Sequence, residues 1–214
     1  VIFIISATVS LITYSRSNAL KNEEKFILRP ELWVNVDDAC PNDSVTLKVT
    51  YRNLTKFSVY LYKINLPVES PLLRKITEDN VTQYGTFFRK ESFLLEPTLD
   101  YNSKLVELKM KTPAVGIYYA VMKPVDKEGN GSTSLLYLTG LQMIQRSWNN
   151  QCEFIVLDKR TGHPVPNAKL SFYDRKNGEY VLEKTFAADE YGTVSMLPDE
   201  KIGVFCQAYT EEDK

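Results

Sequence analysis

Histidine and cysteine are scarce in this sequence, and their scarcity narrows the chemistry that it can perform. The single histidine, His163, lies in a Thr-Gly-His-Pro turn at residues 161–164. A Ser-His-Asp or Cys-His arrangement would have to use it, but no nucleophile motif such as Gly-x-Ser-x-Gly is present. The sequence also lacks a glycine-rich phosphate loop, a Cys-x-x-Cys pair and a His-x-x-x-His pair. We therefore expect a non-enzymatic chain with no catalytic residue, cofactor or metal, in which His163 is a turn residue.

The three cysteines, Cys40, Cys152 and Cys206, are far apart and odd in number. They do not form a disulfide framework, and they lack the close pairs of a zinc site. We interpret them as small buried apolar residues. One alternative remains open: Cys152 and Cys206 could bridge two strands in an oxidising compartment.

An excess of charge is also absent. Twenty-six basic and 27 acidic residues leave a formal net charge of −1, which offers no field to a polyanion. We expect no nucleic-acid partner.

Acidic pairs occur at residues 37–38 and 189–190, and residues 126–131 faintly resemble a calcium loop. That loop lacks alternating ligands and a closing Glu, so the sequence predicts a solvated hairpin and no metal site.

No apolar run is long enough to span a membrane. Residues 1–12 are nearly all apolar or small, but a transmembrane helix needs about 20 such residues. A signal-peptide core is the alternative, with residues 17–19 as a cleavage site, although no Met or basic stretch precedes the run. We interpret the chain as beginning inside a longer protein, with this segment, of strand or helical form, packed on a neighbouring element. We expect no direct membrane insertion by this fragment.

Strand-forming residues, in contrast, are abundant. The sequence has 13 Tyr and 10 Phe besides many Val, Thr and Ile, which pack well on a pleated surface. A hydrophobic content of 43% and a charged content of 25% suit a globular chain that buries a core. Because 214 residues exceed one average domain, we predict an all-β chain of two consecutive antiparallel sandwiches, immunoglobulin-like or macroglobulin-like. A single large β domain is the alternative.

Alternating apolar residues predict seven strands in a first sandwich. These strands are expected at residues 32–36, 45–51, 57–64, 86–95, 104–110, 117–122 and 134–139. A short helix is predicted over 19–28, and an irregular loop or a crossing connection over 67–83. Tyr84, Phe87 and Phe88 are predicted to lie in the core because of their strand context.

Five shorter strands are predicted in a second sandwich, at residues 152–158, 169–173, 180–186, 192–196 and 203–209. A complete sandwich would need a further strand, so we expect this one to be truncated. The predicted organisation is a lead-in segment at 1–28, a first domain at 29–146 and a second domain at 147–214.

Four Asn-x-Ser/Thr triplets begin at Asn42, Asn53, Asn80 and Asn130, all in predicted loops. Such loops could carry glycan, but turn chemistry alone generates these triplets. We prefer the turn interpretation.

A motif in the second predicted domain resembles a known family. The run VLDKRTGHPVPNAKLSFY at 156–173, followed by ADEYGTV at 188–194, resembles the second macroglobulin-like domain of alpha-2-macroglobulins. That pattern is a strand running into Asp-x-x-Thr-Gly-x-Pro-Val-x-x-Ala and a later Asp-x-x-Gly turn. Its physical basis is readable, since Gly162 and Pro164 shape the first turn and residues 189–192 make a tight hairpin.

The upstream sequence resembles the preceding sandwich of large Bacteroidetes-type members. The resemblance rests on residues 30–36, 41–42, 49–54 and 116–119 and on the region of Trp148, and in all it covers residues 29–214. It implies that the chain is a scaffold segment of a protease trap in the cell envelope, outside the cytoplasm. The implied partners are other domains of the same long chain and target proteases. Cys152 and the Glu-Phe after it do not match the Cys-x-Glu-Gln thioester pattern, so no reactive residue is carried over.

A binding or adhesion module is the alternative function. Sandwich loops often contact ligands, and Tyr84, Phe87 and Phe88 would supply aromatic contacts to a carbohydrate or a protein. The loop at 67–83 lies beside them in sequence. A hydrolase has almost no residues to support it.

Overall fold

The computed structural model describes residues 29–98, 102–148, 151–196 and 205–213. The predicted helix at 19–28 and the apolar run at 1–12 lie outside the described residues. Within those ranges the chain forms thirteen β-strands, and its longest helical piece is a five-residue turn. The all-β prediction is confirmed.

Seven strands build the first sandwich. They are β1 (Glu31–Val36), β2 (Ser44–Arg52), β3 (Lys56–Ile64), β4 (Gly85–Leu94), β5 (Lys104–Lys111), β6 (Gly116–Pro124) and β7 (Ser132–Leu138). Antiparallel pairing gives one sheet in the order β1-β2-β5 and a second in the order β4-β3-β6-β7. Alternate residues point between the two sheets and close a single core that includes Leu47, Val49, Phe57, Leu61 and Met122.

The segment between β3 and β4 covers the outer face of the second sheet. Instead of the irregular loop predicted over 67–83, it contains a 3₁₀ turn (Pro71–Lys75) and a four-residue helix, α1 (Val81–Tyr84). The side chains of Leu73 and Val81 pack against Tyr119 and other outward-facing residues of the sheet in a smaller core. The sequence did not predict the 3₁₀ turn or α1, because both are too short to show a helical period and Pro67 and Pro71 indicate a loop.

Six strands build the second sandwich: β8 (Leu141–Trp148), β9 (Gln151–Asp158), β10 (Lys169–Lys176), β11 (Glu179–Ala187), β12 (Thr193–Met196) and β13 (Phe205–Tyr209). One sheet has the order β12-β9-β8 and the other β11-β10-β13. Phe154 from the first and Phe172 from the second meet edge to face, with ring centroids 5.0 Å apart, at the centre of the core.

Strand β8 was missing from the sequence-based prediction. It pairs with β9 along its whole length, from Leu141 opposite Asp158 to Trp148 opposite Gln151. Most of its side chains are exposed, so the alternation of buried and exposed residues that predicts a strand is absent. The predicted domain boundary at 146/147 falls inside β8, whose pairing places this strand in the second sandwich. The division of the chain into domains, like the truncation of the second one, stays a prediction.

The prediction that Phe87 and Phe88 are core residues is wrong. Phe87 is 57% exposed and Phe88 46%. Both lie on β4, the edge strand of its sheet, and a β-bulge opposite Leu61 and Tyr62 leaves Phe88 without a cross-strand partner. Tyr84 is half-buried and packs on the covered face of the sheet. Strand context predicted burial because a single sequence does not reveal which strands are edges.

All three cysteines are free, so the alternative of a bridge between Cys152 and Cys206 is not realised. Cys152 is buried on β9, and Cys206 lies on β13 in the opposite sheet, 3.8 Å from the Met143 sulfur. Burial raises the pKa of the Cys206 thiol to about 12, which keeps it protonated and unreactive at neutral pH. Cys40 and Cys206 are half-buried, so the interpretation as buried apolar residues holds fully for Cys152 alone.

The two turns of the family-like motif differ in how closely they are packed, and this predicts different tolerance to mutation. Gly162 and Gly192 both have φ of +69°. A Cβ on Gly192 would lie 2.6 Å from the Val156 carbonyl oxygen, whereas nothing lies within 4 Å of one on Gly162. We expect Gly192→Ala to lower the free energy of unfolding by about 2–4 kcal/mol and Gly162→Ala, the matched control, by about 1 kcal/mol. Urea unfolding measures both, and equal losses would contradict the packing at Gly192.

Candidate functional site at the junction of the two sandwiches

The residues that the sequence singled out for chemistry have structural roles. His163 is exposed in its turn, where its amide donates to the Thr161 hydroxyl oxygen at 3.2 Å and its carbonyl accepts from the Asp158 amide at 2.8 Å. Across the described residues, no group of three or more His, Cys, Asp or Glu side chains is placed to hold a metal ion.

The acidic residues considered as calcium ligands cap turns or pair with neighbours. The Asp126 carboxylate accepts from the Thr55 amide at 2.7 Å and from the Thr55 hydroxyl at 2.6 Å. Burial acts to raise the pKa of Asp126, but these hydrogen bonds outweigh it, so the pKa lies below its usual value. Asp189 accepts from the amides of Tyr191 and Thr193, and Asp37 pairs with Lys48 at 2.9 Å.

The Asn-x-Ser/Thr triplets also lie where turn geometry needs an asparagine. Asn42 and Asn53 have φ of 55° and 56°, a conformation that asparagine tolerates better than most residues. Asn53 is 8% exposed and is therefore not positioned to carry a glycan. Asn80 accepts from the Thr77 amide at 2.7 Å and donates to the Lys75 carbonyl at 3.0 Å.

The turn that follows β9 is organised by one carboxylate. Asp158 Oδ1 accepts from the Arg160 amide at 3.1 Å, the Thr161 amide at 2.7 Å and the Thr161 hydroxyl at 2.8 Å. The Gly162 amide donates to the Asp158 carbonyl at 2.8 Å and closes the turn. The hydrogen bonds from Thr161, helped by those from Arg160, lower the pKa of the Asp158 carboxyl.

This turn directs two cations at the first sandwich. Lys159 Nζ lies 2.6 Å from Asp38 Oδ1 and 3.2 Å from the Ala39 carbonyl oxygen, both in the loop between β1 and β2. Arg160 Nη2 donates to the Pro41 carbonyl at 2.8 Å, in the same loop. The Lys159 side chain is only 14% exposed. A basic pair from the second sandwich is thus seated on a loop of the first.

Three further contacts link the second sandwich to the chain that precedes it. The Lys159 amide donates to the Gly140 carbonyl at 2.7 Å, and the Gly140 amide donates to Asp213 Oδ2 at 2.5 Å. Elsewhere, Arg74 Nη2 in the 3₁₀ turn donates to the Tyr180 hydroxyl oxygen at 3.1 Å. These contacts hold the segment between the sandwiches and the 3₁₀ turn to the second sandwich.

A cleft of about 660 Å³ lies beside the junction, lined by Gly140, Asp158, Val165, Lys169 and Tyr209 among others. Its described lining mixes apolar, acidic and basic groups. The contacts around it position the two sandwiches relative to each other. Sequence reasoning singled out the motif at 156–173, which contains this turn, but missed Lys159 and Arg160 as junction residues. Contacts between residues far apart in the sequence leave no periodic pattern that would reveal them.

Solved structures of the Escherichia coli alpha-2-macroglobulin have a similar fold. The structure spanning domains NIE-MG1 matches 87% of this chain and 95% of that chain, with 15% identity and a TM-score of 0.62. The structure spanning domains MG0-NIE-MG1 matches 86% of this chain and 62% of that chain, again with 15% identity, and a TM-score of 0.67. No family model and no curated protein matches the sequence. At this identity the likeness shows the fold, and the predicted macroglobulin-like architecture is confirmed.

The ion pair between Lys159 and Asp38 predicts measurable coupling across the junction. Asp38 is 78% exposed, so solvent screens the pair and we expect a coupling energy of about 0.5–1 kcal/mol. The measurement is a double-mutant cycle of Lys159→Ala and Asp38→Ala by urea unfolding. Lys159→Ala should cost more than Asp38→Ala because the Lys159 side chain is only 14% exposed and loses more packing on truncation. A coupling energy of zero would contradict the contact.

The lowered pKa of Asp158 predicts how the turn responds to acid. A carboxyl whose pKa is lower in the folded state stabilises the protein above the unfolded value of about 3.9 and loses that contribution as the pH falls through the folded pKa. We therefore expect Asp158→Asn to be less stable than the wild type at neutral pH, with a difference that shrinks in acid. Urea unfolding from about pH 7 to about pH 2.5 measures it, and a difference independent of pH would contradict the role of the charge.

Within the described ranges, no helix is long and apolar enough to span a bilayer.

Proposed function

We propose that this chain is a non-catalytic scaffold segment of an alpha-2-macroglobulin-like protease inhibitor outside the cytoplasm, at the cell envelope. The observation that carries the proposal is the fold shared with the E. coli alpha-2-macroglobulin over 87% of the chain, which includes both sandwiches. The sequence resemblance to Bacteroidetes-type members favours the same role. Its partners would be other domains of the same long chain and the proteases that the whole protein captures.

The junction supports a scaffold role on physical grounds. A scaffold must hold neighbouring domains in one orientation, and domains joined by flexible linkers alone move relative to each other. Here Lys159 and Arg160 seat on the loop between β1 and β2, and Arg74 contacts the second sandwich separately. Contacts at two separate places resist both bending and twisting of the pair.

The experiment uses the full-length protein and several added proteases. We expect a complex that survives denaturing electrophoresis and is lost after methylamine treatment, as a thioester trap requires. A Lys159→Ala/Arg160→Ala variant should capture less protease if the junction orients the trap, while Lys176→Ala/Glu183→Ala, which removes an ion pair within the hairpin of β10 and β11, should capture as much as the wild type. No complex with any protease would overturn the proposal.

A binding or adhesion module is the second candidate, and the exposed aromatic residues favour it. Phe87 and Phe88 on β4 are exposed, and so is Trp33 on β1 in the other sheet, at 71%. Large exposed aromatic side chains are typical of surfaces that bind proteins or carbohydrate. The test is binding to a panel of glycans and proteins. Saturable binding that the variant Phe87→Ser/Phe88→Ser abolishes would favour this function, and binding that the variant leaves unchanged would contradict it.

A further inference from the structure

A groove between the two sandwiches, remote from the Asp158 turn in sequence, collects positive charge. Its volume is about 700 Å³, and it lies between the 3₁₀ turn of the first sandwich and the β10–β11 hairpin of the second. Arg74 and Lys75 line one wall, and Arg175 lines the other. Among the described residues of the lining, Glu179 carries the only negative charge.

The three cations have no acidic partners in the described part of the chain. No carboxylate oxygen lies within 4.0 Å of the charged nitrogens of Arg74, Lys75 or Arg175 there. Some exposed cations of this structure do have such partners, as Lys176 does with Glu183 in the same hairpin. Cations that line one groove raise the local positive potential, which an anion would neutralise.

One hydrogen bond connects the two walls of the groove. Arg74 Nη2 donates to the Tyr180 hydroxyl oxygen at 3.1 Å, which ties the 3₁₀ turn to β11. The Tyr180 ring packs at a tilt against Phe205, with centroids 5.2 Å apart. The wall that carries Arg74 is therefore positioned by an aromatic side chain that is itself packed, and the cation is held ready for an anion.

The surroundings of the groove favour a peptide over other anions. Strand β11 begins in the lining at Glu179 and is an edge strand, with no partner strand on its outer side among the described residues. An extended segment that leaves the groove can pair with this edge by main-chain hydrogen bonds. The formal net charge of −1 gives the chain no long-range field for a nucleic acid, so the positive charge is local and suits a short ligand.

We propose that the groove formed by Arg74, Lys75 and Arg175 binds an extended acidic segment of a partner protein, which continues along the free edge of β11. The carboxylates of the segment form ion pairs with the three cations, and its backbone forms hydrogen bonds with β11. This inference is independent of the proposed function, because it requires neither a protease nor the rest of a trap.

The test is fluorescence anisotropy of the chain with a labelled oligo-glutamate peptide of about eight residues, and with an oligo-glutamine peptide as the uncharged probe. We expect saturable binding of the first probe, weakened by salt, and little binding of the second. The variant Arg74→Gln/Lys75→Gln/Arg175→Gln should weaken binding about tenfold or more, since exposed pairs are individually weak but add up over three. The matched control Lys109→Gln/Lys111→Gln/Lys127→Gln removes the same charge from other exposed positions and should stay within about twofold.

A second variant tests the positioning of Arg74. Tyr180→Phe keeps the charge of the groove but removes the hydroxyl to which Arg74 donates, and we expect binding to weaken about twofold to threefold. Circular dichroism checks that each variant is folded.

Three results would overturn the proposal. The first is the absence of saturable binding by the wild type. The second is an equal loss of binding in the groove variant and in the control variant, which would reveal general attraction to the surface. The third is displacement of the peptide by inorganic phosphate at an equal concentration of charge, which would identify a small-anion site instead.

Discussion

The Asp158 carboxylate is the constraint on which the relation between the two sandwiches depends. It holds three hydrogen-bond donors of the following turn, and the turn in turn places Lys159 and Arg160 on the loop between β1 and β2. Without that geometry the two cations would be ordinary solvated side chains. A turn motif that the sequence presents as an ordinary loop thus determines how the two sandwiches meet.

The segment between β3 and β4 has two structural roles: it covers a sheet, and it carries a charged side chain to the second sandwich. Leu73 and Val81 of this segment cover part of the outer face of one sheet. That part would otherwise be exposed to solvent, and it becomes a second, smaller core. The same segment carries Arg74 to the second sandwich. One stretch of chain therefore both covers a sheet and connects the two sandwiches.

The sequence predicted most strands because alternation of buried and exposed residues is a local property. Strand β8 escaped because its side chains are mostly exposed, and Phe87 and Phe88 were misassigned because edge position depends on the whole sheet. For the site, the motif at 156–173 was visible in the pattern of Asp, Gly and Pro. Its contact with Asp38 was not, since the two residues are 121 positions apart and each looks like a common surface charge.

The most direct test of the central claim, that the two sandwiches form one oriented unit, is a set of backbone residual dipolar couplings for the chain in a weakly aligned medium. Couplings from the strands of each sandwich are fitted separately to an alignment tensor. If the junction is fixed as described, both sandwiches give tensors of the same magnitude and orientation. Tensors of different magnitude would show that the sandwiches move independently, and would contradict the role assigned to Asp158, Lys159 and Arg160.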